Sequence, residues 1–217
     1  MKAKTIIIKS LIYILGLFIM AIGVRISLNS GLGITPINSF PYTVSKVINV
    51  SLGKMVIVLF IIMLILQIII LKNEFKIYNL SQLLFSTLFG FFIDYAEFFV
   101  GDFKIPTYFG SLLMILMSVL LTAIGFNFYL SVNLINMPVE GFIQAVNKKY
   151  FKDKTFGDIK MVFDITMVSL AIIISLIFLG KIEGIREGTI ISAIFVGFFV
   201  KKFSKYIEPI VKKIEQI

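Results

Sequence analysis

Cysteine and histidine are both absent from this 217-residue chain. Without cysteine the protein can form neither disulfides nor thiol-based sites. Without histidine it cannot contain a Ser-His-Asp triad, a histidine proton relay or a Cys/His zinc site. Charge is also scarce, because Asp, Glu, Lys and Arg make up 15% of the residues, whereas soluble domains carry roughly 25%. We therefore expect no metal site and no cofactor.

What the chain has in abundance is hydrophobic sequence, which accounts for 59% of its residues and gives a mean hydropathy of +1.01. Six segments approach the roughly 20 apolar residues that a membrane-spanning helix requires. They are residues 6–28, 54–71, 78–100, 107–131, 157–179 and 184–203. The last is the weakest, because Lys201 and Lys202 must extend to the membrane surface. No loop is long enough to fold alone, so the sequence predicts an all-α membrane protein with a single transmembrane domain over residues 1–217.

Lysine is concentrated in the segments that six spans would leave on one side of the membrane. These segments are residues 2–9, 72–76, 148–160 and 201–213. Because basic loops stay in the cytoplasm, both termini are predicted to be cytoplasmic. The pI of 9.6 then reflects topology and attraction to anionic headgroups, and no nucleic-acid partner is expected. The N-terminus resembles a secretory signal, but its copy at residues 111–130 indicates that it is retained.

The sequence repeats itself 102 residues apart, from position 36 to position 138. Ala21-Ile22-Gly23 and Pro36 recur as Ala123-Ile124-Gly125 and Pro138. Each half, at residues 6–100 and 107–203, contains one span, a segment broken by Gly, Asn or Pro, and two further spans. Three is an odd number, so the second half would enter the membrane in the opposite orientation. The sequence therefore predicts six transmembrane helices as two inverted three-helix repeats, an arrangement typical of secondary transporters.

The broken segments that follow the first span of each half are the candidate gates. Gly31, Gly33 and Pro36 interrupt the first half, and Pro138 and Gly141 lie in the second. Glycine permits left-handed backbone and proline lacks an N–H, so neither span continues smoothly as a helix. Short helices are predicted to restart at residues 37–50 and 139–150. We interpret the breaks as re-entrant gates at the outer and inner faces; the alternative is ordinary loops followed by amphipathic helices lying flat on the membrane.

Polar residues within or beside the spans are the candidate binding residues, because a charge in hydrocarbon is costly and usually functional. They are Arg25, Asn29, Asn38, Asn127, Glu140, Lys160, Asp164 and Glu187. Lys160 and Asp164 are four residues apart on one helical face, where they can form an ion pair. Structural alternatives are a permanent Lys160–Asp164 pair, extension of Arg25 to the headgroups, and helix-terminal roles for Glu140 and Glu187.

Five ordered motifs resemble those of the YczE-like (YczE/YyaS/YitT) integral membrane proteins of bacteria. They are GLGITPINSFP at 31–41, FGFFID at 89–94, MPVEG at 137–141, FGDIKMVFD at 156–164 and GIREGTI at 184–190. The resemblance implies a six-span, multi-pass protein of the bacterial inner membrane. Family members often have Trp-Asp after the first proline, where this chain has Ile37 and Asn38, whereas Glu140 matches the acidic residue of the second break. The resemblance implies no particular substrate.

These features lead us to expect a secondary active transporter, and not an enzyme, that moves a small cationic or zwitterionic solute by alternating access. Its two halves would move around a midplane site, where a buried acid would exchange a proton for the solute. The expected partners are the lipid bilayer, a small-molecule substrate and a second copy of the chain in a homodimer. The alternatives are a membrane-embedded substrate-binding subunit of a larger transporter, and a structural or regulatory membrane protein without transport.

Overall fold

The computed structural model describes residues 3–215, so Lys2, which contributes to the charge asymmetry, lies outside the described residues. Between residues 3 and 215 the chain forms eight α-helices and no β-strand. They are α1 (Ala3–Ser30), α2 (Pro36–Ile48), α3 (Leu52–Leu71), α4 (Gln82–Val100), α5 (Tyr108–Ser131), α6 (Pro138–Tyr150), α7 (Phe156–Ile174) and α8 (Glu187–Glu215). Two 3-10 turns, Lys72–Glu74 and Ile77–Ser81, precede α4, and a π-helical turn, Ser175–Leu179, extends α7.

Five helical segments are long and apolar enough to cross a membrane, which indicates a multi-pass membrane protein. They are Lys4–Ser30, Leu52–Glu74, Ile77–Val100, Tyr108–Ser131 and Phe156–Leu179. The sixth expected span, in α8, is not among them. Although α8 is 29 residues long, Glu187 precedes its apolar stretch and Lys201 and Lys202 end it early.

The backbone has the same conformation at the ends of α1 and α5, as the sequence repeat predicts. Gly31 has φ +68° and its N–H donates to the Leu28 carbonyl over 3.2 Å. Asn133, 102 positions later, has φ +51° and its N–H donates to the Leu130 carbonyl over 3.1 Å. Glycine and asparagine are the residues that adopt this left-handed conformation most readily, so each helix stops at a residue suited to it. The short helices predicted after the breaks are confirmed as α2 and α6, which begin at Pro36 and Pro138.

The chain divides into two compact units, and each contains helices from both halves of the repeat. Unit 1 comprises residues 3–35, 92–134 and 184–215, which include α1, the end of α4, α5 and α8. Unit 2 comprises residues 36–91 and 135–183, which include α2, α3, the start of α4, α6 and α7.

In unit 1, α1 and α5 pack antiparallel through small residues. The Lys9 ammonium donates to the Val132 carbonyl over 3.0 Å, and the Ser118 hydroxyl donates to the Gly23 carbonyl over 2.7 Å. Between these contacts, Gly16 and Gly125 face each other so closely that a Cβ on Gly125 would lie 2.5 Å from the Gly16 carbonyl oxygen. Glycine therefore brings the two backbones together, as it commonly does in membrane helix pairs.

In unit 2, each short helix packs mainly against a long helix of the other half. The helix α2 packs on α7, and α6 packs on α3. Periodicity in the sequence does not indicate that the short helix of one half packs on a long helix of the other half. A second close contact joins α3 to the start of α4, where Gly90 lies against the Gly53 carbonyl and the Ile57 side chain. The buried interior of unit 2 is therefore lined by the first turns of two short helices and by long helices from both halves.

Candidate functional site

Glu140 is the most deeply buried acid of the candidate residues. It occupies the first turn of α6, two residues after Pro138, and it is 7% exposed. Its Oε2 atom has no hydrogen-bond partner among residues 3–215. The helix α6 has 13 residues and is too short to span a membrane. Burial of the Glu140 carboxyl raises its pKa to about 7, although a hydrogen bond from its own backbone N–H acts in the opposite direction. A carboxyl in this position can bind a proton or accept a hydrogen bond from a ligand.

Lys160 and Asp164 lie on α7 close enough to influence the charge of Glu140, Lys160 favouring the ionised form and Asp164 opposing it. The predicted ion pair between them is confirmed, because the Lys160 Nζ and Asp164 Oδ2 atoms are 2.6 Å apart. The Asp164 side chain is 19% exposed, and its other oxygen, Oδ1, is buried without a partner within the described chain. We call Glu140, Lys160 and Asp164 the α6–α7 cluster.

A pair of buried amides also packs against the first turn of α6. Gln67 of α3 and Gln82 of α4 each donate to the side-chain oxygen of the other over 3.4 Å. Gly141 packs directly against the Gln67 amide, and a Cβ there would also lie 3.2 Å from the Gln82 nitrogen. The sequence singled out neither glutamine as a site residue. The available signal was an amide placed within the otherwise apolar run of α3.

The corresponding position in the first half carries no charge. Asn38, in the first turn of α2, corresponds to Glu140 by the repeat offset, and it is 5% exposed. Further along the chain the repeat offset is 104, as between Gly53 and Gly157, so Val56 and Phe60 of α3 correspond to Lys160 and Asp164. Both Val56 and Phe60 are buried. The two repeat-related positions therefore differ chemically, and the charged one is at α6.

Arg25 and Asn29 meet in unit 1, where both donate to the Gly101 carbonyl, Arg25 over 3.5 Å and Asn29 over 2.8 Å. Arg25 also contacts Glu97 over 3.3 Å and Asp102 over 3.5 Å, although these acids are 62% and 94% exposed. Such exposed ion pairs contribute little stability. Arg25 and Asn29 therefore hold the end of α4, and this role was not predicted.

The first break is held by the segment that precedes α8. The Ile34 N–H donates to the Gly184 carbonyl over 2.9 Å, and the Gly188 N–H donates to the Leu32 carbonyl over 2.8 Å. Gly33 lies between them with φ +109°, and a Cβ there would be 2.5 Å from the Thr189 hydroxyl oxygen. A glycine is therefore required at position 33 both by conformation and by space.

Two further candidate residues have structural contacts in unit 1. Asn127 donates to the carbonyls of Ala123 and Val200 over 2.8 and 3.1 Å, which joins α5 to α8. Glu187, at the start of α8, pairs with Arg186 over 3.2 Å and accepts from the Tyr108 hydroxyl over 3.3 Å. The predicted binding residues thus separate into two groups. The α6–α7 cluster and Asn38 lie in unit 2, and Arg25, Asn29, Asn127 and Glu187 lie in unit 1.

The α6–α7 cluster has the chemistry of a cation or proton site. Two carboxylates with unused oxygens can accept from a ligand that donates hydrogen bonds. No group of three or more Asp, Glu, His or Cys residues that could hold a metal ion occurs among the described residues. The two unpartnered carboxylate oxygens can accept hydrogen bonds from an organic cation, or either carboxylate can bind a proton.

Comparison with known proteins identifies a family for this chain. No curated protein and no solved structure matches it. One family model matches residues 7–205, which covers most of the chain. The chain therefore belongs to the family described as "Family of unknown function (DUF6198)".

Proposed function

We propose that this protein is a secondary active transporter that moves a small cationic or zwitterionic solute by alternating access, in exchange for a proton. The observation that carries the proposal is the buried carboxyl of Glu140, whose Oε2 has no partner in residues 3–215. A buried ionisable group in a membrane protein is costly, so its presence favours a function in binding or proton transfer. The adjoining Lys160–Asp164 pair supplies a second carboxylate and a balancing charge.

Contacts between α1 and α5 support the inverted repeat on which alternating access depends. The repeat offset relates Gly16 to Ser118 and Gly23 to Gly125. Gly125 contacts Gly16, and Ser118 contacts Gly23. If each residue is replaced by its counterpart in the other half, the first contact becomes the second and the second becomes the first. A two-fold axis between antiparallel helices has this property. The pairing of α2 with α7 and of α3 with α6 follows the same rule. With α8 as the sixth span, the two halves would be related by a rotation of about 180° in the membrane plane.

We further propose a bacterial inner membrane location with both termini in the cytoplasm, and membership of the YczE-like group. The distribution of lysine supports the orientation. The five motifs shared with that group support the location.

The transport proposal is tested in proteoliposomes that contain a pH-sensitive dye. Outward or inward gradients of guanidinium or glycine, which both carry N–H donors, should change the internal pH, and protein-free liposomes should not respond. Asp164→Asn should abolish the response while the protein remains folded, because the amide is nearly isosteric. Glu208→Gln, at an exposed ion pair of α8, serves as the control and should respond like the unmodified protein.

Two results would contradict the proposal. The first is the absence of a pH response to either solute in the unmodified protein. The second is a full response in Asp164→Asn with reduced stability, since Lys160 would then have lost only a structural partner.

A further inference from the structure

The net charge of the α6–α7 cluster takes one of two values. Lys160 and Asp164 neutralise each other across 2.6 Å, so the net charge of the cluster is set by Glu140 alone. It is zero when Glu140 is protonated and minus one when Glu140 is ionised. The charges that act on Glu140 are those of Lys160 and Asp164. From α3 and α4, the neutral amides of Gln67 and Gln82 pack against the neighbouring Gly141.

Other charges near α6 are already paired at its far end. Lys148 and Lys149, in its last turn, both contact Glu74 from the segment after α3. This group is separated from Glu140 by more than two turns of helix. It therefore belongs to a different site, and the groups that face Glu140 are those of α7.

We infer that the α6–α7 cluster binds one small organic cation that carries N–H donors, and exchanges it one for one with the proton of Glu140. This inference rests on the proposed transport function and specifies its substrate class and stoichiometry. In the exchange, the O–H bond of Glu140 breaks and the proton passes to water, while the cation takes its place beside the carboxylate. No other bond changes.

The unpartnered oxygens of the cluster are the reason that we expect the cation to carry N–H donors. Glu140 Oε2 and Asp164 Oδ1 are both buried acceptors without a donor in the described part of the chain. An ammonium or guanidinium group fills such positions with charge-assisted hydrogen bonds. A metal ion such as Ca²⁺ needs about six or more oxygen ligands, whereas Glu140 and Asp164 each offer one unpartnered oxygen. A quaternary ammonium carries the same charge but has no N–H to donate.

Electrical neutrality is the reason for the one-for-one exchange. With a proton bound, the cluster is neutral, and with one monovalent cation bound to ionised Glu140, the cluster and its ligand are neutral again. Two cations, or a cation together with the proton, would leave a net buried charge, which is strongly disfavoured in a membrane protein. Because the same carboxylate holds either ligand, the proton and the cation exclude each other. Exchange would therefore carry no net charge across the membrane.

Binding is measured first, on the full-length protein in detergent, in weakly buffered solution with a pH indicator. Guanidinium chloride at millimolar concentration is the probe, because guanidinium stays protonated and carries N–H donors. Tetramethylammonium chloride at equal ionic strength is the matched cation without donors. Guanidinium should release up to one proton per chain below pH 7, where Glu140 is protonated, and almost none well above pH 7. Tetramethylammonium should release none, and Glu140→Gln should abolish the release while Glu208→Gln leaves it unchanged.

Voltage dependence is measured second, in proteoliposomes whose membrane potential is set with potassium and valinomycin. The initial rate of guanidinium-driven internal pH change should be the same at zero and at negative internal potential. Equal proton release by both cations, release that persists in Glu140→Gln, or a rate that follows the voltage would each overturn the inference. Proton release without any transport in vesicles would overturn the proposed function and leave the binding site supported.

Discussion

The close approach of α1 and α5 at Gly125 makes a quantitative prediction about stability. In Gly125→Ala, the new methyl would lie 2.5 Å from the Gly16 carbonyl oxygen and 2.8 Å from the Met20 backbone nitrogen. Both neighbours include backbone atoms that cannot rotate away, so the two helices must separate. Such overpacking costs about 1–3 kcal/mol. Alanine is also the better helix former by about 1 kcal/mol. The net expectation is a loss of about 0–2 kcal/mol in the free energy of unfolding.

A glycine elsewhere in the chain provides the control for this prediction. Gly197, within α8, has no atom within 4 Å of the position that its Cβ would occupy. Gly197→Ala should therefore stabilise the protein by about 0.5–1 kcal/mol through helix propensity alone. Unfolding of both variants is compared by titration with a denaturing detergent in mixed micelles. The reasoning would be refuted if Gly125→Ala were as stable as Gly197→Ala, because the backbones would then not be in the contact described.

Two further predictions concern the broken segments. Gly33→Val should sharply reduce the amount of monodisperse protein on size-exclusion chromatography, because valine at φ +109° would collide with Thr189. Gly31→Asn should be tolerated, because Asn133 adopts the same left-handed conformation at the equivalent position. Equal losses in both variants would contradict this account of the first break. Pro138→Ala should change stability by less than about 1 kcal/mol but slow the exchange, since the helix is then free to extend through the second break; an unchanged exchange rate would indicate that this break is a passive loop.

Much of the local structure could be predicted from the sequence, because local structure depends on short-range chemistry. The repeat offset placed both short helices after Pro36 and Pro138, and the four-residue spacing predicted the Lys160–Asp164 pair. Apolar length predicted five of the six expected spans. Apolar length does not show whether α8 spans the membrane, because Lys201 and Lys202 shorten its apolar run.

Tertiary contacts could not be predicted in the same way, because they depend on which helices meet. Nothing in the periodicity of α6 indicated that its first turn would lie against Gln67 of α3. Arg25 stays a predicted binding residue, and its contacts with Glu97 and Asp102 became apparent only in the folded chain. Glu140 could be recognised from the sequence as an acid after a break, whereas its unpartnered oxygen became apparent only in the folded chain.

Counterflow is the sharpest test of whether a carrier with Glu140 at its binding site operates by alternating access. Proteoliposomes loaded with unlabelled guanidinium are diluted into a trace of radiolabelled guanidinium at equal pH on both sides, so that no proton gradient exists. The account predicts transient accumulation of label above its external concentration, and none in Glu140→Gln. Label that only equilibrates across the membrane, or that accumulates equally in Glu140→Gln, would contradict it.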